Sequence, residues 1–235
     1  MKKVLLLTLL VISGVSMKAQ NEIENDKFTT EVNAVVKNPN KASSGVWFVV
    51  NNEKEGATTI TWQGNTGDKA YPYAMKFDNR EADKDLSWYK AFVGQRITKE
   101  LEKTVYNLTF FVRTNQSNAS ISAYIKQSVE EKSDNGKYNT TFFVRDQYDA
   151  QSQKKSSAAQ YNYNVKHADK WTKVSVDFDL SQLVNTVNSQ SSTPDLRITT
   201  TPDHAAILKD CYIAILSQTK GAVVEISQVT FQKKK

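Results

Sequence analysis

The chain has 235 residues, with 31 Lys and Arg against 25 Asp and Glu, and a formal net charge of +6. Lys2, Lys3, Lys18, Lys233, Lys234 and Lys235 account for the whole excess, so the body of the chain is neutral and a nucleic-acid partner is not indicated. A hydrophobic content of 39% with 10% aromatics excludes a disordered chain, and eight Gly with four Pro exclude a collagen-like or low-complexity one.

In chain order, Lys2 and Lys3 precede a short apolar run at 4–15, and Ala19 stands at a plausible cleavage position. The run falls short of the roughly 20 residues that cross a bilayer. Residues 1–19 are therefore read as a signal peptide. No Cys follows the run to carry a lipid. Residues 20–235 are read as one exported domain, periplasmic or extracellular and not membrane-spanning.

Period-two alternation dominates the rest of the chain. Strands are predicted at 46–50, 58–62, 71–77, 88–97, 106–113, 119–126, 138–145, 173–180, 210–217 and 222–231. In the fifth, Tyr106, Leu108, Phe110 and Val112 share one face, and Asn107, Thr109, Phe111 and Arg113 the other. Leu180, Leu183, Val184 and Val187 have helical spacing and predict one short helical turn. Residues 149–160 and 189–195 read as long loops. With no βαβ alternation, the pattern predicts an all-β, antiparallel two-sheet β-sandwich of the jelly-roll kind. Cys211, the only cysteine, lies in an apolar run and reads as core.

The two histidines, His167 and His204, belong to no G-x-S-x-G elbow, no H-E-x-x-H and no glycine-rich phosphate loop. No catalytic residue is assigned, and the chain reads as a non-enzyme. Glu100 and Glu102 read as solvated charge. Asp78, Glu81, Asp83 and Asp85 form an acidic loop with oxygen ligands of the type calcium takes, but Arg80 and Lys84 interrupt it. No cofactor is assigned. The aromatics say more. Trp47, Trp62, Tyr71, Tyr73, Trp88, Tyr89, Tyr148, Tyr161 and Tyr163 lie beside polar turn residues. Rings with a polar edge suit the flat C–H faces and hydroxyls of sugars. Trp171 reads as packing against the sandwich edge.

Trp88-x6-Gln95, then Ile97-x3-Leu101-x4-Tyr106-x-Leu108-x-Phe110-x2-Arg113, then Trp171-Thr172-Lys173-Val174-x-Val176-x-Phe178 form a recognisable series. With the closing Tyr212-Ile213-Ala214-Ile215 and Val224-x-Ile226-x2-Val229-x-Phe231, it resembles carbohydrate-binding modules of the family 4 and 9 type over roughly residues 30–232. The resemblance implies a galactose-binding-domain-like jelly roll and a carbohydrate partner. By analogy, the outward face of 106–113 lines a sugar groove, which points to Phe111 and Arg113, with Gln95 and Tyr124 on neighbouring strands. Ser227-Gln228 stands where that family often has an acidic pair, which tells against its structural calcium.

The leading expectation is a secreted, non-catalytic carbohydrate-binding protein. Its expected ligand-binding residues are Trp62, Trp88, Gln95, Phe111, Arg113, Tyr124 and Tyr148. Two other readings stay open on the same fold: a protein-interaction or adhesion module of a surface complex, and a small glycan hydrolase or lyase.

Overall fold

Alternation of apolar and polar side chains folds the chain into two antiparallel sheets, the all-β jelly-roll sandwich expected from the sequence. The computed structural model describes residues 20–86, 90–129, 140–146, 160–180, 183–188 and 211–234. The expected signal peptide at 1–19, Trp88, Tyr148, His204, residues 149–159 and the loop at 189–195 lie outside the described residues.

The five-stranded sheet runs β2 (Thr59–Gln63), β3 (Ala74–Asp78), β12 (Val223–Lys233), β5 (Val105–Thr114), β9 (Thr172–Asp179). The seven-stranded sheet runs β1 (Trp47–Asn51), β4 (Ala91–Arg96), β11 (Cys211–Ser217), β6 (Ser120–Val129), β7 (Thr140–Asp146), β10 (Leu183–Asn188). Strand β8 (Gln160–Asn164) pairs with the first half of β6.

Burial along β5 alternates without exception, with Tyr106, Leu108, Phe110 and Val112 in the core between the sheets. Facing them from the seven-stranded sheet are Val93, Ile125, Ile213 and Ile215. Every residue of β11 is buried, Cys211 included, so the second face of that sheet is covered too. There Phe48, Val50, Phe92, Tyr124, Tyr212 and Leu216 form a separate apolar layer, against which Ala34 and Val36 pack. Gly94 permits the Phe48 packing. A Cβ on it would stand 2.8 Å from the Phe48 ring and 2.9 Å from the Ile213 carbonyl oxygen.

Two expectations are corrected. Leu183, Val184 and Val187 do not form a helical turn. They lie in β10, antiparallel to β7, with Val187 opposite Phe142. Val184, Thr186 and Val187 are β-branched and favour a strand once a partner edge is present, so the helical spacing is coincidental. Strand β8 was not expected, because its alternation uses Tyr and Asn in place of aliphatic residues. Tyr161 and Tyr163 are half-buried against the core, and Asn162 and Asn164 are exposed.

Lys233 and Lys234 both form ion pairs. Lys233 belongs to β12 and its Nζ lies 2.6 Å from Glu102, while Lys234 pairs with Asp177. Lys234 and Asn107 both donate to Asp177 and hold its carboxyl below the usual range.

Candidate functional site

Strand register builds the site. Phe111 lies opposite Lys173 and Val112 opposite Thr172 across β5 and β9. One step further, Arg113 faces Trp171 on the outward side of the sheet. The Arg113 guanidinium lies over the indole, 5.0 Å from the ring centroid. On its other flank, β12 presents Glu225 in register with Arg113, and Arg113 Nε donates to Glu225 Oε2 at 2.5 Å. The bond to Glu225 holds the guanidinium proton more tightly than usual, and partial burial opposes this.

The connection between β2 and β3 completes the cluster. It folds over Ala74 and Ser227, both buried and small. Within it, the Thr66 hydroxyl donates to Tyr71 O at 2.5 Å and Thr66 N donates to Pro72 O at 3.0 Å. Arg113 Nη2 donates to Thr66 O at 3.1 Å. Ser227 Oγ donates to Tyr73 O at 2.7 Å and Gln228 Nε2 to Ala70 O at 2.9 Å. Ser227 and Gln228 sit at a β-bulge, with Gln228 at φ 49, so the positions that lack an acidic pair serve to fasten this loop.

Tyr71 thereby meets Phe111 at 4.8 Å between centroids and 43° between planes, and Trp171 at 4.7 Å and 32°. All three rings and Arg113 are half-buried on the solvent side of the sheet. Trp171 Nε1 is itself buried and has no hydrogen-bond partner among the described residues. Asp68 lies in the same loop, where its carboxylate accepts from Ala70 N at 2.8 Å, and Asp169 N donates to Thr114 O beside Arg113. The arrangement offers apolar ring faces next to charged hydrogen-bonding groups.

The expected site residues do not come together. Phe111 and Arg113 belong to this cluster. Gln95 does not: it is fully buried, its amide oxygen accepting from Glu24 N and its amide nitrogen donating to Glu24 O, both at 2.8 Å. It substitutes for a backbone partner and holds the N-terminal segment. Trp62 does the same work. Its register with Met75 and Ile226 turns it to the core side, where it stacks with Tyr73 and donates from Nε1 to Phe28 O at 2.8 Å. Tyr124 lies on the far face of the other sheet, 2% exposed beside Phe92, and burial pushes its phenol well up. Trp88 and Tyr148 are outside the described residues. Sequence reasoning named Tyr71 among the aromatics suited to sugar without placing it in the site, read Trp171 as edge packing, and missed Thr66 and Glu225. Glu225 was legible from the alternation Val224, Glu225, Ile226, whereas Trp171 needed the β5–β9 register.

Among the described residues, no group of three or more His, Cys, Asp or Glu converges as a metal site. In the acidic loop, Asp78 instead accepts two bonds from the Arg80 side chain, at 2.8 and 2.7 Å, and one from its backbone N, and lies 3.4 Å from Lys76. The Arg80 bonds outweigh burial and hold the Asp78 carboxyl at about 2. His167 is exposed. No described helix is long and apolar enough to cross a membrane.

A family model described as a domain of unknown function (DUF4627) matches residues 21–231. The crystal structure of a protein from Bacteroides thetaiotaomicron VPI-5482, described as "a putative sugar binding protein", is 56% identical, with a TM-score of 0.77 over 92% of this chain and 100% of that one. A carbohydrate-binding module described as CBM4 is 11% identical, with a TM-score of 0.42 over 80% of this chain and 94% of its own. A family 11 carbohydrate-binding module of a cellulosomal cellulase from Clostridium thermocellum is 8% identical, with a TM-score of 0.42 over 80% and 88%. Likenesses as low as the last two carry no argument. No curated protein matches the chain.

Proposed function

We propose, from the premise that the chain belongs to the DUF4627 family, that it is an exported, non-catalytic carbohydrate-binding protein whose ligand stacks on the outward corner of Tyr71, Phe111 and Trp171. The observation that carries this reading is the half-exposed aromatic cluster on a sheet face, bordered by Arg113, Glu225 and Asp68. A sugar's C–H face stacks on the rings, and its hydroxyls meet the bordering carboxylates of Asp68 and Glu225. The description of the 56%-identical protein as sugar-binding supports the ligand class. Angles of 32° and 43° between the rings make a corner, not a plane. A corner embraces one ring of a soluble chain better than it lies on a flat crystalline surface.

Calorimetric titration against neutral plant, host and microbial oligosaccharides tests the reading. At least one class is expected to bind with saturable heat. Absence of binding across all three classes would overturn the proposal.

A further inference from the structure

The resemblance to carbohydrate-binding modules implies that Arg113 is a ligand contact, but its surroundings give it a different task. Nε donates to Glu225, Nη2 to Thr66 O, and the guanidinium carbon lies over the Trp171 ring. The Thr66 residue it holds brackets Tyr71 through two further hydrogen bonds. One side chain thus fixes two of the corner's three rings, Trp171 directly and Tyr71 through Thr66.

We infer that Arg113 is a positioning residue that sets the angle between Tyr71 and Trp171, with Glu225 as its anchor, and that it acts on the ligand only through those rings. Lys would not replace it. An ammonium is a point charge and cannot donate to Glu225 and Thr66 in one plane while lying over an indole. The inference rests on the carbohydrate reading for its effect on affinity, but its structural half holds without any ligand.

A double-mutant cycle tests it. Arg113→Met alone is expected to weaken binding of the tightest oligosaccharide about tenfold. In a Tyr71→Ala background the same change is expected to cost less, about threefold, because one of the two rings it positions is gone while Trp171 remains. Equal losses in both backgrounds would mean that Arg113 does not act through Tyr71, and would overturn the inference. Aromatic NMR shifts of Tyr71 and Trp171 without ligand give the second readout. Both are expected to move in Arg113→Met and in Arg113→Lys, and to move less in Glu225→Gln, which keeps an acceptor. Unmoved shifts in all three variants would likewise overturn it. If no oligosaccharide binds the unaltered protein, the carbohydrate reading fails and the ligand-free shifts still decide the positioning role.

Discussion

Asn79→Ala is expected to destabilise the protein by about 3 kcal/mol, because it deprives the buried Thr58 hydroxyl of its acceptor and removes the amide that bonds the Ser217 and Thr219 carbonyls. Asn79 follows β3 of the five-stranded sheet and is fully buried. Its side-chain oxygen accepts from the Thr58 hydroxyl at 2.6 Å. Its amide nitrogen donates to Ser217 O at 3.3 Å and Thr219 O at 3.2 Å. Ser217 closes β11 of the other sheet, so one amide ties the two layers at this end of the sandwich. Ala removes both halves at once. The thermal midpoint should fall by roughly 6–12 °C, at about 2–4 °C per kcal/mol for a chain of this size. Asn164→Ala, on an exposed position of β8, should stay within about 0.5 kcal/mol. Equal midpoints for the two variants would contradict the clamp.

Trp171→Ala is expected to weaken oligosaccharide binding by roughly 30-fold, about 2 kcal/mol, the scale of an aromatic hot spot. It removes the ring that Tyr71 and Arg113 both contact. The fold should tolerate the change better than a core truncation, since Trp171 is only half-buried. Trp62→Phe supplies the contrast. It keeps an aromatic ring on the core side but loses the 2.8 Å bond to Phe28 O. Stability should drop while affinity stays within about twofold, as a role in folding alone implies. The opposite pattern, with Trp62→Phe abolishing binding and Trp171→Ala leaving it intact, would place the sugar elsewhere.

These two tryptophans show where the sequence was legible. Alternation on β5 identified the outward face, and with it Phe111 and Arg113, because a strand's period is fixed by local sterics. It also gave the fold class. What alternation cannot give is which strand lies next to which, and in what register. Trp171 becomes a neighbour of Arg113 only once β9 pairs with β5, and Tyr71 arrives only when the loop after β2 folds back. Trp62 misled for a related reason. Beside a polar turn it looked exposed, but the N-terminal segment, which has no periodic signal, covers it with Phe28. Gln95 belongs to the same segment's support. The charge balance was legible in part: six lysines explain the excess, yet Lys233 and Lys234 form ion pairs that only the sheet arrangement reveals.

The most direct test is a crystal structure of the protein with the tightest-binding oligosaccharide of the panel. A sugar ring is expected to pack against Tyr71 and Trp171 on the five-stranded sheet, with hydroxyls within hydrogen-bond distance of the Asp68 or Glu225 carboxylate. A sugar bound elsewhere on the molecule, with the Tyr71–Trp171 corner bare, would contradict it.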